Sequence, residues 1–185
     1  FSNNVYASNK YSNINFQSIT IDDGLSQSLA EYIYQDSLGY IWIGTNDGLN
    51  RYNGNEFKVY KNIKNDENTI SNNMISSLVE DSDKNLWIGT DGGLNKMNLN
   101  TGEITRYLVS EEDKLYSNTV VDELLIDSKG RLWVCTINGL NLYDSENDTF
   151  IKVATDYLEN KGIQDITEDN EGNIWVSTRD GLFKY

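Results

Sequence analysis

Four tryptophans set the period of this chain. Trp42, Trp87, Trp133 and Trp175 stand 45, 46 and 42 residues apart, and their surroundings align without a gap. Six residues before each is an aspartate: Asp36, Asp81, Asp127 and Asp169. Aliphatic residues flank each ring, Thr45, Thr90, Thr136 and Thr178 follow three places on, and Gly-Leu follows at six and seven (Gly48, Gly93, Gly139 and Gly181 with their leucines). A repeat in the forties belongs to propeller blades or to helical arrays.

Local pattern separates the two. In the second copy Ile75–Glu80 reads as a strand, 81–85 as a turn, Leu86–Thr90 as a second strand and 91–93 as a turn tolerant of positive φ. Leu94–Met97 and Glu103–Val109 complete four short strands, and glycine inside each unit would weaken a helix. The expected fold is therefore all-β: a β-propeller of four blades, each of four antiparallel strands. Blades fall at about 30–60, 75–109, 120–154 and 162–185, after a tail at 1–15. The Gly-His and Trp-Asp marks of WD40 repeats are missing. Tyr185 ends the third strand of the fourth blade, and Phe16–Ile21 reads as a strand without predecessors. That segment is expected either to clasp the fourth blade and close a small ring, or to serve as the outer strand of a blade in a larger propeller.

Most repeated positions read as scaffold. The residue two after each Trp is small (Gly44, Gly89, Cys135, Ser177), as close approach between blades demands. Cys135 is then a small buried residue rather than a reactive thiol. The aspartates are placed to accept backbone N–H groups of their own turns.

Composition narrows the chemistry. The chain has 15 Lys and Arg against 29 Asp and Glu, a net charge of −14, so it has little to offer phosphate backbones or anionic bilayers. It has no His, which excludes histidine base catalysis, the Ser-His-Asp triad and His-ligated metals. One Cys excludes an intrachain disulfide and CxxC motifs. No apolar run approaches the ~20 residues of a membrane helix, so direct membrane insertion by this segment is not expected, and no signal-peptide pattern opens the sequence.

The segment Ile75-Ser-Ser-Leu-Val-Glu-Asp-Ser-Asp-Lys-Asn-Leu-Trp-Ile-Gly-Thr-Asp-Gly-Gly-Leu-Asn95 resembles the two-component regulator propeller repeat, as does 34–54 preceded by Asp22-Asp-Gly-Leu-Ser26. The likeness runs over nearly the whole chain from Phe16. Copy two departs from it with Lys84 where the others have Gly39, Gly130 and Gly172, and copy three with Cys135 and Ile137-Asn138. The resemblance implies a non-catalytic sensor region on the extracellular or periplasmic face of a bacterial membrane protein. In that family the propeller precedes a membrane helix and a kinase or diguanylate cyclase output, and gut bacteria use it to recognise carbohydrate fragments. Any kinase or cyclase activity would belong to a separate C-terminal module.

Ligand contacts are expected at one mouth, from the turns between second and third strands and from the connectors 61–73, 108–119 and 155–162. The candidates are Asn46, Asp47, Asp91, Asn138, Arg179 and Asp180, with Tyr116 and Tyr157 as stacking surfaces; Tyr32 and Tyr34 either join them or fill blade interfaces. The partner expected is a small molecule or oligosaccharide, with a second copy of the chain as the other partner class, and no cofactor or metal. Asp81-x-Asp83-x-Asn85 and Asp169-x-Glu171-x-Asn173 alternate oxygens as calcium loops do, but Leu86 and Gly92, or Ile174 and Asp180, occupy the places of the loop's Gly and Glu. They read as hairpin turns. The Asp-box spacing and arginine cluster of sialidases and the histidine of streptogramin lyases are lacking. A protein-interaction scaffold is the alternative function. An enzyme built on Asp47, Asp91 and Asp180 ranks last.

Overall fold

In the computed structural model, residues 16–107 and 120–185 are described. They form four antiparallel sheets, each a meander in chain order. The first holds β1 (Ala30–Gln35), β2 (Ile41–Thr45), β3 (Gly48–Tyr52) and β4 (Phe57–Tyr60). The second holds β5 (Ile75–Glu80), β6 (Asn85–Thr90), β7 (Gly93–Asn98) and β8 (Ile104–Tyr107). Positions 108 and 109 of the expected strand lie outside the described residues. The third holds β9 (Val121–Ile126), β10 (Leu132–Thr136), β11 (Gly139–Asp144) and β12 (Thr149–Val153). A one-turn helix, α1 (Thr155–Leu158), leads to the fourth: β13 (Ile163–Glu168), β14 (Ile174–Thr178) and β15 (Gly181–Lys184). The all-β expectation holds, but the fourth sheet has three strands rather than four.

One set of side-chain bonds builds every sheet. Each repeated aspartate takes backbone N–H groups two and four residues on with one oxygen, and the tryptophan indole N–H with the other. For Asp36 these are Leu38 and Tyr40, both at 2.9 Å, and Trp42 at 2.7 Å. Asp81, Asp127 and Asp169 repeat it, with indole bonds of 2.8 Å. The carboxylate thus closes the turn and leaves no buried indole donor unpaired. In Asp81 and Asp169 these bonds, with those from Asn85 and Asn173, engage both oxygens of each carboxylate.

The threonine three after Trp donates to the glycine carbonyl across the next turn at 2.8–3.1 Å. Those glycines have φ between +114° and +136°, a region closed to most side chains. Lys84 adopts φ +65°, the strained counterpart of the glycines in the other three copies.

Neighbouring sheets stack face to face in chain order. β1 packs on β5, β5 on β9 and β9 on β13. Three of the tryptophans share a core cluster with the following sheet: Trp42 with Leu78, Leu86, Ile88 and Met97, Trp87 with Leu124, Leu132 and Val134, and Trp133 with Ile163, Ile166 and Ile174. The small residue after Trp is required by this stacking. A Cβ on Gly44 would lie 2.8 Å from Ile75 of the next sheet, and one on Gly89 2.8 Å from Val121.

The stack is open at both ends among the described residues. Leu78, Leu124 and Ile166 occupy one register position and are 0%, 4% and 6% exposed, whereas Ile33 at the same position of the first sheet is 71% exposed. At the far end Leu182 is 63% exposed, while its equivalents Leu49, Leu94 and Leu140 are buried. Nor does Phe16–Ile21 form the expected strand. Residues 16–20 lack regular structure, and Ile21–Asp23 is a 3-10 turn. The cause is local. Asp23 accepts the Thr20 N–H at 2.8 Å and Thr20 accepts the Asp22 N–H, a capping box that bends the chain where a strand would run straight.

Candidate functional site

Antiparallel pairing collects the chemistry at one end of the stack. The first residues of the inner strands sit opposite the last of the second strands: Ala30 opposite Thr45, Ile75 opposite Thr90, Val121 opposite Thr136 and Ile163 opposite Thr178. The turns carrying Asn46-Asp47, Asp91-Gly92, Ile137-Asn138 and Arg179-Asp180 follow immediately, so all four open on the same rim.

A bulge interrupts each inner strand at this rim, one residue in from its start. The bulged residues are Glu31, Ser76, Asp122 and Gln164, and a bulge re-aims the side chain it carries. Ser76 is spent on the next sheet, donating to the Val121 carbonyl. Asp122 and Gln164 instead line a cleft between the third and fourth sheets. Its volume is about 510 Å³, and its other walls are Ile137, the Asn160–Ile163 connector and Arg179. Burial pushes the Asp122 carboxyl above its ordinary range; Arg179 pulls it back, and Asp91 and Glu123 add to the rise.

The sequence candidates divide accordingly. Arg179 lines the cleft, and Asp180 stands beside it, 3.5 Å from Lys161. Asn138 supports it from behind, its carbonyl accepting the Asn160 N–H at 3.3 Å. Asp47 is engaged within its own rim, with Lys61 at 2.6 Å and the Asn73 amide at 3.3 Å, and neither it nor Asn46 lines the cleft. The Asp91 carboxylate acts on Asp122 through its charge. Tyr116 lies outside the described residues. Tyr32 and Tyr34 pack against the core between the first and second sheets, and the Tyr34 hydroxyl takes the Glu80 N–H, so both are interface residues.

Tyr157 belongs to another place. It borders an apolar hollow of about 530 Å³ on the outer side of the third and fourth sheets, with Trp133, Leu140, Val153, Phe183 and Tyr185. In the earlier sheets the fourth strand brings an apolar residue here: Ile104 opposite Met97, and Phe150 opposite Tyr143. Tyr185, bonded to Ile174 as Met97 pairs with Leu86, has no such partner strand among the described residues.

Three residue sets escaped the sequence reading. Asp122 and Gln164 are invisible without the bulge. Lys161 carried no signal beyond its place in a connector. Asn50 and Asn95, eight after Trp, are buried and clamp the connectors: their Oδ1 atoms accept the Ser26 and Ser71 N–H at 2.8 Å. Their repetition, with Asn141 in the third copy and Phe183 in the fourth, was the available sign.

Residues 24–47, 69–92 and 157–180 match the two component regulator propeller family. Three segments of this chain are thus similar to the two component regulator propeller repeat. The matched segments leave out the third copy, where Cys135 and Ile137-Asn138 depart from the pattern. Among known proteins, histidine kinase P4 of Formosa agariphila is 50% identical over 60 residues, 32% of this chain and 4% of that protein. The extracellular domain of a hybrid two component system from B. thetaiotaomicron superposes with a TM-score of 0.72 at 27% identity, over 88% of this chain and 22% of that one. A second such domain from the same organism gives 0.73 at 23%, over 91% and 30%. The repeats thus span under a third of the length of these relatives. Virginiamycin B lyase of Staphylococcus aureus shares the fold alone, with a TM-score of 0.56 at 16% identity over 83% of this chain and 54% of the lyase. The 27% identical domain is the extracellular part of its hybrid two component system.

Proposed function

We propose that this chain is the ligand-sensing, non-catalytic part of a bacterial transmembrane signalling protein, facing the periplasm or the exterior, and that its ligand is a carbohydrate. The observation that carries the reading is the division of labour within each blade. The Asp-Trp turn, the Thr-Gly bridge and the small residue after Trp hardly vary, whereas the rim position four after Trp is Asn46, Asp91, Ile137 and Arg179. A constant scaffold presenting varied groups along one rim is how a binding site is built. Output chemistry, kinase or cyclase, belongs to another module of the longer protein.

The test is thermal stability of the chain against a panel of oligosaccharides. A ligand that binds only the folded state stabilises it by mass action, by about 2.7 kcal/mol at a hundredfold excess over Kd, and so raises the melting temperature. An unmoved transition across the panel removes carbohydrate sensing.

A second reading, a protein-interaction scaffold, is favoured by the exposed Ile33 and Leu182 faces. Each internal interface joins such a face to its complement, so the two ends suit further blades or another copy of the chain. Sedimentation that stays monomeric at high concentration, unchanged by Ile33→Glu, removes self-assembly.

A further inference from the structure

Cations outnumber carboxylates among the side chains that line the cleft between the third and fourth sheets. Two cations, Lys161 and Arg179, and one carboxylate, Asp122, line it, in a chain of net charge −14. At the rim position four after Trp, Arg179 is the one cation among Asn46, Asp91 and Ile137. Its guanidinium enters no salt bridge among the described residues, and Lys161 stands 3.5 Å from the exposed Asp180 and 5.4 Å from the Phe183 ring centre. Across from them Ile137 is 45% exposed, an apolar wall where the sister turns are polar.

We propose that this cleft binds an acidic saccharide, a uronate unit whose carboxylate sits on Arg179 and Lys161. The planar guanidinium fork matches a carboxylate in two bonds, and the ammonium adds a point charge. The ring hydroxyls donate to Asp122 and accept from the Gln164 amide, both aimed inward by their bulges. The C–H face of the sugar rests on Ile137. A neutral sugar leaves the fork unfilled, and a phosphate, with more charge and no apolar face, meets Asp122 as a repulsion and Ile137 as a desolvation cost. The volume, about 510 Å³, lies within the roughly 300–1,000 Å³ of small-ligand sites. This inference rests on the carbohydrate-sensing reading and specifies its site.

The experiment is calorimetric titration of the 185-residue chain with digalacturonate and with digalactose, at low and high salt. Digalacturonate is expected to bind at least about tenfold more tightly, with the preference shrinking as salt rises. Arg179→Gln is expected to weaken digalacturonate by about ten- to a hundredfold and to abolish the preference. Arg179 is an exposed side chain, so its variant should melt with the parent, which separates loss of binding from loss of fold. Asp122→Asn is expected to weaken both sugars. Equal affinity for the two, or an unaffected Arg179→Gln, overturns the uronate site and leaves sensing of neutral sugars in place. Absence of binding to either sugar, together with an unmoved melting temperature across the wider panel, overturns both.

Discussion

The Asp127 carboxylate accepts the Trp133 indole N–H at 2.8 Å while its other oxygen receives the Lys129 and Arg131 backbone N–H groups at 3.0 and 2.9 Å. Arg131 closes the arrangement with its guanidinium at 2.6 Å from the same carboxylate and 4.9 Å above the indole. One buried acid therefore orients the turn, the ring and a cation. Burial opposes its charge, but the bonds from Trp133 and Arg131 prevail, and its pKa is lowered.

Asp127→Ala should therefore be among the costliest single changes, since it orphans a buried indole donor and two turn amides. A loss of about 2–4 kcal/mol is expected in urea unfolding, with an unchanged m-value. Asp127→Asn keeps one oxygen for part of this work and should lose less.

The close stacking of sheets makes Gly89→Ala destabilising although alanine is the milder residue for a strand. Its Cβ would stand 2.8 Å from Val121 and 2.9 Å from the Ser76 hydroxyl. A cost of about 1–3 kcal/mol is expected from overpacking, and Val121→Ala in the same chain should recover part of it.

Equivalent positions should respond unequally to the same truncation. Leu78→Ala removes a fully buried side chain and should cost about 2–5 kcal/mol. Ile33→Ala, at the same register position but exposed, should fall within about 0.5 kcal/mol in a monomeric sample. A large loss at Ile33 would show that this face is covered in solution.

Stability should peak in mildly acid solution. Asp127, Asp148 and Asp169 have lowered pKa values, Asp148 through bonds from Tyr107 and Tyr143, Asp169 through those from Trp175 and Asn173. Such groups hold stability above their unfolded pKa of about 3.9 and lose it as pH falls toward their folded values. Asp122 and Glu123 are raised, chiefly by burial, so the folded state keeps protons that the unfolded state has released. Their effect has the opposite sign: stability declines as pH rises from the carboxylate range through their folded values. The melting temperature, followed from pH 7 downward, should first climb and then drop below about pH 4. For Asp122→Asn the initial climb should shrink.

Much of the scaffold could be read directly from the chain. A constant Trp with Asp six before and Gly six after defines strands, turns and packing faces through local chemistry alone, because backbone bonding and burial act over a few residues. The Asp-to-Trp bond itself was legible only as a turn signal, since the ring and the carboxylate meet only once the hairpin has folded. The rim turns were predictable from the same periodicity, and Arg179 was found that way.

Other features depend on how separate repeats come together. Where the sequence reads a strand at Phe16–Ile21, the Thr20-Asp23 capping bonds bend the chain into a 3-10 turn at Ile21–Asp23. The cleft owes its existence to bulges at Asp122 and Gln164 and to the meeting of two sheets whose residues lie some forty positions apart in the chain. The amino-acid sequence by itself determined the repeated unit, because its rules are short-range. Tertiary structure alone decided which charges converge and which sheet faces stay open, because those depend on the stacking of one sheet against the next.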